Sequence, residues 1–429
     1  MTFKDKIVNK IENIYCKFFK TTPTKEIKIF IESLLFVFIA TGIAKGLLFI
    51  MNILGGRILG PTTYGEYTLV VSVSAFLAIP VGLGVLGGVL KVLAETDNEK
   101  RRKAIISTAI RYIAISTATF SIIYILLFRQ LATVFQIGSN LFLLSVALMA
   151  SAIGLSLYES IIQGLHRQKL WSWMTLTAYI ISAAAFAFLL INKETGMLLM
   201  FIPTILINII FVAIGIYILR KYHSIKTFDK SSFRDMFMYG IYVLIITVAT
   251  TFLGNVDKIM INFYKGAASV GLYQAYYFSS IMILGVISGV FIKVFFPTAV
   301  KLKDPKGMLR KLDKILIMGV PMIFIFTPFI MWLVLFLYNF PFNLTTSIIF
   351  AIATAVDLTS VMYVSLLNAQ GEMQIKKMTI GFIAAFILNI IINAILIPPL
   401  GINGAIIATG IAFLTVGIYA RAKINSISS

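Results

Sequence analysis

A short motif occurs twice in this chain, at equivalent places in its two halves. Gly60-Pro-Thr-Thr-Tyr-Gly65-Glu-Tyr67 and Gly266-Ala-Ala-Ser-Val-Gly271-Leu-Tyr273 both read Gly-x4-Gly-x-Tyr. A second match pairs Gln163-Gly164-x4-Lys169 with Gln370-Gly371-x4-Lys376, shifted by one further residue. Each match follows a corresponding hydrophobic segment, so the halves repeat in the same orientation. A parallel repeat of this kind is typical of membrane transporters, whose halves move about a shared central site.

The composition requires a membrane. Hydrophobic residues make up 59% of the chain, charged residues 13%, and the mean hydropathy is +0.96. Soluble domains are about 45–50% apolar and about 25% charged. Spanning helices satisfy their own backbone hydrogen bonds and expose only side chains to lipid. The sequence therefore predicts an all-α integral membrane protein.

Twelve segments are long and apolar enough to cross a bilayer, in two lobes of six related by the parallel repeat. Their predicted spans are about 30–57, 65–90, 104–128, 138–162, 171–191, 197–219, 236–264, 269–296, 314–338, 345–367, 378–397 and 402–420. The predicted organisation is a basic amphipathic segment over 1–28, an N-terminal lobe over 29–220, a cytoplasmic linker over 221–235, a C-terminal lobe over 236–423 and a tail over 424–429.

The formal charge of +20 indicates membrane topology. With both termini in the cytoplasm, the outer loops contain only Arg57, Arg129, Lys193 and Lys265, and most other basic residues fall in the tails and the inner loops. This follows the positive-inside rule and places basic side chains near anionic headgroups of the cell membrane. Nucleic-acid binding is disfavoured, because the basic residues form no patch on a soluble domain.

The loops offer no catalytic or metal-binding motif. Residues 1–28 contain seven lysines and lack the compact apolar core of a cleavable signal peptide. The single cysteine, Cys16, excludes an intrachain disulfide, and with only two histidines a Cys/His metal site is not expected. We find no Ser/His/Asp set and no phosphate-binding loop, so no enzyme activity or cofactor is predicted.

Several ionisable residues lie deep in predicted segments, where each needs a partner or a water-filled cavity. Lys45 is near the middle of segment 1, Asp357 is near the middle of segment 10, and Asp257 with Lys258 lie about two turns inside segment 7. Arg111 lies about two turns inside segment 3. Function and structural pairing between helices both remain open for these five residues.

The basic residues predict an anionic ligand. Lys45 and Lys258, with Arg57 and Arg111, would make a cavity positive, and charge-assisted hydrogen bonds favour a phosphate there. We therefore name these four as candidate substrate-binding residues. Glu159 and Lys91, by contrast, lie near cytoplasmic segment ends, where reaching to the interface is the favoured interpretation. Pro80 and the glycines after it predict a deformable second segment.

The residues that resemble a known family come from three places. They are Gly56-Arg57 leading into Gly60-Pro-x-x-Tyr-Gly65-x-Tyr67, Asn255-Val-Asp257-Lys258 leading into Gly266, and Asn389, Asn393 and Leu396-Ile-Pro398-x-x-Gly401-Ile-x-Gly404. Together they resemble the polysaccharide and O-antigen flippases of the multidrug/oligosaccharidyl-lipid/polysaccharide exporter superfamily. The resemblance implies two six-helix lobes in a V and the movement of polyprenyl-pyrophosphate-linked sugars between leaflets. It also implies that Lys45 and Arg57 contact the pyrophosphate, although the fuller arginine cluster of peptidoglycan-precursor flippases is absent.

This interpretation predicts the partners and the energy source. The partners are a lipid-linked oligosaccharide and membrane lipids, and we expect a monomer that works beside glycan-assembly enzymes. Because no nucleotide-binding loop is present, an ion gradient of Na⁺ or H⁺ is expected, with Asp357 and then Asp257 as the coupling carboxylates.

Two alternatives stay open at this stage. A multidrug or cation antiporter of the same superfamily would share the fold. A membrane-embedded glycosyltransferase or ligase would need acid and base residues or a large outer loop.

Overall fold

The computed structural model describes residues 25–222, 228–282, 285, 305–370 and 372–426. Residues 1–24, including Cys16 and most of the predicted amphipathic segment, lie outside this described part, and so does much of predicted segment 8. In the described part the chain is helical throughout, apart from short turns, as the hydrophobic segments predict.

The helices are numbered along the chain. The N-half, residues 25–222, contains α1 (Lys25–Gly82), α2 (Val85–Ala94), α3 (Glu99–Leu126), α4 (Phe128–Val134), α5 (Ser139–Gly164), α6 (Gln168–Ile191), α7 (Leu198–Ile218) and a 3-10 turn (Arg220–Tyr222). The C-half, residues 228–426, contains α8 (Lys230–Lys265), α9 (Ala267–Tyr277), a π turn (Phe278–Met282), α10 (Pro305–Tyr338), α11 (Leu344–Asn368), α12 (Glu372–Leu400) and α13 (Ile402–Asn425).

Ten of the described helices are long and apolar enough to cross a membrane. The first, Phe36–Gly82, includes most of predicted segments 1 and 2, which are joined through a kink at Gly60. Predicted segment 8 begins as α9 and then leaves the described residues. The all-α membrane fold is therefore confirmed, while the full count of twelve segments stays a prediction.

The repeated motif forms the same backbone turn in both halves. Gly60 has φ 69° and ψ 172°, and Gly266 has φ 80° and ψ 170°. Only glycine adopts this region without strain, because a Cβ would clash there. Each glycine therefore turns the chain from one long helix into the next, at what we call the turn end of the molecule.

The two halves contact each other closely at the turn end. A Cβ on Gly65 would lie 1.9 Å from the carbonyl oxygen of Ala267, and one on Gly271 would lie 2.0 Å from that of Pro61. The two contacts exchange equivalent residues of the two motif copies. The second motif glycine is thus required because the helix backbones touch. The Tyr64 and Tyr338 hydroxyls also meet across the halves, 3.2 Å apart.

The halves also meet at the opposite end, which we call the basic end. The predicted second segment breaks at Leu83 and Gly84, which have φ 39° and 74°, so the deformable site is a real interruption between α1 and α2. A Cβ on Gly84 would lie 2.0 Å from the Gly240 carbonyl oxygen of α8. Arg101 pairs with Asp235 across the halves at 3.1 Å. This conformation therefore has contacts between the halves at both ends.

Candidate functional site

The most completely built polar cluster surrounds Asp257 in the C-half. Its carboxylate accepts hydrogen bonds from the Tyr273 hydroxyl at 2.7 Å, from Asn393 Nδ2 at 2.7 Å and from the Thr409 hydroxyl. Asp257 is 2% exposed, and all three donors are buried. Burying a carboxylate is costly unless its oxygens are paired, and here three donors supply the pairing.

Four helices bring these residues together. Asp257 lies on α8, Tyr273 on α9, Asn393 on α12 and Thr409 on α13. The turn at Gly266 returns the chain so that Tyr273 reaches Asp257 on the preceding helix. The site therefore depends on the packing of the C-half and not on one stretch of sequence.

The cluster contains polar side-chain atoms that its hydrogen bonds leave unpaired. Asn393 also donates to Asn389 Oδ1 at 3.1 Å, one turn away on α12. Among the described residues neither the acceptor Asn393 Oδ1 nor the donor Asn389 Nδ2 has a hydrogen-bond partner, and both atoms are buried. Carboxylate, amide and hydroxyl oxygens are the ligands that hard cations prefer. Within the described residues no group of three His, Cys, Asp or Glu side chains is present, so a transition-metal site finds no support there.

Lys258 follows Asp257 but points into different surroundings. Its Nζ donates to the carbonyl oxygen of Gly254 at 3.1 Å and lies 5.3 Å from the centre of the Tyr277 ring. The side chain is 7% exposed. In this conformation the carbonyl and the ring enclose the ammonium group, and a contact of Lys258 with substrate stays a prediction.

Asp357 lies on α11 and is half-buried. No hydrogen bond or ion pair joins its carboxylate to any residue in the described ranges, although the Tyr277 hydroxyl is within electrostatic range of both Asp357 and Asp257. Asp357 thus differs from Asp257, because it is an acidic group without a fixed donor.

Lys45 lies on α1 close to a contact with the C-half. One turn away on the same face of α1, Phe49 stacks on Phe278 of the C-half at 5.5 Å. Gly42 and Gly46, on that same face, have no neighbouring atom within 4 Å of a built Cβ. Lys45 itself is exposed, and within the described residues no carboxylate lies at ion-pair distance from it. Its Nζ lies 5.9 Å from the centre of the Tyr179 ring.

Glu159 has a hydrogen-bond partner that the sequence did not indicate. Glu159 on α5 is half-buried and accepts a hydrogen bond from the indole Nε1 of Trp171 at 2.7 Å. It also lies within electrostatic range of Lys45 and Tyr179. Glu159 therefore has a donor from the next helix, close to the end of α5 where the sequence places it, and its interfacial position stays a prediction.

The other two predicted binding residues lie apart from Lys45 and Lys258. Arg57 is exposed at the turn end, three residues before the kink at Gly60. Arg111 lies 6.0 Å from the ring of Phe228, next to the connection between the halves. The four predicted cations thus have four different surroundings in this conformation.

The sequence contained signals for the residues that were missed. Tyr273 is the last position of the repeated motif, and Asn389 with Asn393 has the four-residue spacing of one helix face. Thr409 had no such signal, because one threonine in an apolar helix is unremarkable. Only the packing of α8 against α12 and α13 connects it to Asp257.

The chain matches a protein family and a membrane protein by sequence. The model of the polysaccharide biosynthesis protein family matches residues 30–303. The uncharacterized membrane protein MJ1068 of Methanocaldococcus jannaschii is 27% identical over 207 residues, which are 45% of this chain and 39% of that protein. The match thus spans about two fifths of the length of that relative.

Solved structures share the fold at low sequence identity. The lipid II flippase MurJ in an inward closed conformation matches with a TM-score of 0.68 and 18% identity, over 92% of this chain and 88% of that one. A multidrug-resistance MATE family transporter of the MOP superfamily, facing inward, matches with a TM-score of 0.64 and 14% identity, over 88% and 94%. The chain therefore has the fold of MOP-superfamily transporters, and both of these structures are of transport proteins and not of enzymes.

Proposed function

Because the chain belongs to the polysaccharide biosynthesis protein family, we propose that it is a flippase for polyprenyl-(pyro)phosphate-linked oligosaccharide. It would carry this lipid from the inner to the outer leaflet of the cell membrane by alternating access. The basic end would face the cytoplasm, with both termini, because that end contains most of the Lys and Arg residues.

The observation that carries the proposal is the position of Lys45. Lys45 lies one turn from Phe49, which contacts the C-half, and beside the open face around Gly42 and Gly46, and its ammonium group has no ion-pair partner among the described residues. A lipid phosphate would supply the missing counter-charge, while its tail stays in the bilayer. Arg57 and Arg111 would contact the substrate at other stages of transport, and Lys258 would do so only after moving from its present site.

The ion would bind in the C-half. Asp257, Asn389, Asn393 and Thr409 offer oxygen ligands suited to Na⁺, whereas Asp357, without a fixed donor, suits a proton. Binding of either cation neutralises a buried carboxylate and favours one orientation of the halves. We therefore propose Asp257, ahead of Asp357, as the coupling residue for Na⁺.

Reconstituted vesicles test the proposal. Wild-type protein should move a fluorescent polyprenyl-diphosphate-linked oligosaccharide between leaflets, and Lys45→Ala should slow this by about 10- to 100-fold, as expected for one lost charged contact. Lys45→Arg should retain part of the rate, and Lys230→Ala, which removes an exposed lysine at the start of α8, should leave it unchanged. A normal rate for Lys45→Ala would remove this residue from the substrate site.

A multidrug or cation antiporter is the second candidate, because a MATE family transporter shares the fold. The same vesicles separate the two functions. Gradient-driven movement of an organic cation, with no movement of the lipid-linked oligosaccharide, would favour the antiporter.

A further inference from the structure

The N-half contains a second polar cluster, which borders the proposed phosphate site at Lys45. Glu159 of α5 accepts a hydrogen bond from Trp171 of α6, the ammonium group of Lys45 on α1 lies 5.9 Å from the centre of the Tyr179 ring of α6, and Glu159 is within electrostatic range of both Lys45 and Tyr179. Trp171 and Tyr179 are eight residues apart, so they lie on about the same face of α6, two turns from each other. The cluster thus offers a carboxylate and two aromatic rings beside the ammonium group.

We propose that Glu159, Trp171 and Tyr179 form a sugar-binding subsite next to the phosphate subsite at Lys45. This inference rests on the proposed function and adds to it the residues that recognise the first sugars of the headgroup. The Trp171–Glu159 hydrogen bond of 2.7 Å fixes both side chains before a ligand arrives.

The chemistry of the cluster favours hydroxyl groups. The Glu159 carboxylate accepts the Trp171 bond through Oε1, which leaves lone pairs for sugar hydroxyls. The ammonium group of Lys45 can donate to oxygen atoms on the same ligand. Aromatic rings provide apolar surface with a polar edge, which matches the alternating C–H and O–H groups of a pyranose.

Two other ligands fit the cluster less well. A second phosphate would be repelled by the Glu159 carboxylate, and an organic cation would be repelled by Lys45. A neutral, hydroxyl-rich group is the one class that all four side chains favour. The charges therefore indicate an order along the ligand, with the phosphate at Lys45 and the neutral sugars toward Glu159.

Trp171 itself provides the reporter. The chain has three tryptophans, so Trp173→Phe with Trp332→Phe leaves Trp171 as the only one. Both replaced residues are highly exposed on the surface of transmembrane helices. The full-length protein in lipid nanodiscs would be titrated with a short-chain polyprenyl diphosphate bearing a disaccharide, with the same diphosphate lacking sugar, and with tetraphenylphosphonium.

We expect the disaccharide-bearing lipid to change Trp171 emission and to bind about tenfold tighter than the sugar-free diphosphate, the effect of one or two hydrogen bonds to a charged group. Glu159→Gln, which keeps the shape of the side chain, should remove most of this preference without weakening the binding of the sugar-free lipid, because it takes away only a carboxylate that repels phosphate. Lys45→Ala should weaken the binding of both lipids.

The outcomes separate the two proposals. Equal affinity of wild-type protein for the two lipids, an unchanged preference in Glu159→Gln, or tighter binding of the phosphonium cation would each overturn the sugar subsite. Failure of the flippase proposal looks different, because neither lipid would then bind and Lys45→Ala would have no effect. If the double tryptophan variant does not fold, equilibrium dialysis of both lipids against Glu159→Gln in the natural sequence measures the same preference.

Discussion

The two halves of the molecule place a tyrosine at the same motif position and use it differently. In the N-half, the Tyr67 hydroxyl shares a hydrogen bond of 2.7 Å with Thr204 of α7. In the C-half, the Tyr273 hydroxyl donates to Asp257, which also accepts a hydrogen bond from Thr409 of α13. In the C-half a carboxylate therefore lies between the motif tyrosine and a threonine of the last helix.

The helices that precede the two motif copies, α1 and α8, also differ at equivalent positions. Asn52 donates to the Leu48 carbonyl at 2.9 Å, and Lys258, its counterpart in the repeat, donates to the Gly254 carbonyl at 3.1 Å. Asp257 is the counterpart of Met51, which belongs to an apolar core cluster. Equivalent positions therefore hold an apolar residue in the core of the N-half and an acidic residue in the C-half, where Asn393 and Thr409 complete a candidate ion site.

The largest expected effect comes from removing this one difference. Asp257→Asn should abolish the dependence of transport on an ion gradient, because the buried negative charge is lost while the shape of the side chain remains. Proteoliposomes with imposed Na⁺ or H⁺ gradients measure the effect, and Asp357→Asn is tested in parallel.

The reverse change sharpens the comparison. Met51→Asp puts a carboxylate where the N-half offers no asparagine equivalent to Asn393 in the described contacts, so the protein should lose several kcal/mol of stability and gain no ion site.

If Asp257→Asn and Asp357→Asn both keep full gradient-dependent transport, neither carboxylate couples the ion, and downhill flipping becomes the better account.

The next largest effect concerns the contact that the two motif copies make with each other. Gly65→Ala should slow transport at least about tenfold, although alanine normally strengthens a helix by about 1 kcal/mol relative to glycine. The added Cβ would meet the Ala267 carbonyl at 1.9 Å, so the halves could no longer close at the turn end. Gly254→Ala is the matched control, because no atom lies within 4 Å of its built Cβ.

Spin labels show whether closure is the cause. Asn262 Nδ2 donates to the Gln136 carbonyl across the halves at 2.6 Å, so labels at positions 136 and 262 report the separation at the turn end. We expect a longer mean distance in Gly65→Ala and in Gly271→Ala than in the wild-type protein. An unchanged distance together with slow transport would place the defect elsewhere.

A smaller difference is expected between the two motif tyrosines. Tyr273→Phe removes a donor from a buried carboxylate and should cost about 1.5–3 kcal/mol of unfolding free energy, whereas Tyr67→Phe breaks a neutral pair and should cost about 0.5–1.5 kcal/mol. Thermal unfolding in nanodiscs compares the two variants. Equal losses would indicate that the Asp257 cluster is not charged in the folded protein.

The sequence predicts the helices well because their physical cause is local. Runs of about 20 apolar residues and the glycines of the repeat determine where helices lie and where the chain turns. The site is predicted less well. Asp257 could be named because a carboxylate in an apolar segment is costly, but the burial of Lys258 depends on the Gly254 carbonyl and the Tyr277 ring, and the role of Glu159 depends on an indole from the next helix. Distances between helices decide these contacts, and no spacing within one helix contains them.

The smallest effect concerns two helix caps at the basic end, one in each half. Asn98 caps α3 by accepting from the backbone N–H groups of Lys100 and Arg101, and Asp229 caps α8 by accepting from those of Ser231 and Ser232. The hydroxyl and the backbone N–H of Ser232 lower the pKa of Asp229 below its ordinary value. Either cap replaced by alanine should cost about 1 kcal/mol near pH 7. Because the pKa of Asp229 is lower in the folded protein, its contribution is fully present above the ordinary aspartate pKa of about 3.9 and is lost as the pH falls through the folded value. The cost of Asp229→Ala should therefore shrink between pH 7 and pH 3, while the cost of Asn98→Ala stays constant, since an amide does not titrate in this range. Unfolding of both variants in nanodiscs at the two pH values measures this, and an equal pH dependence would show that the hydrogen bonds of Ser232 do not stabilise the charged form of Asp229.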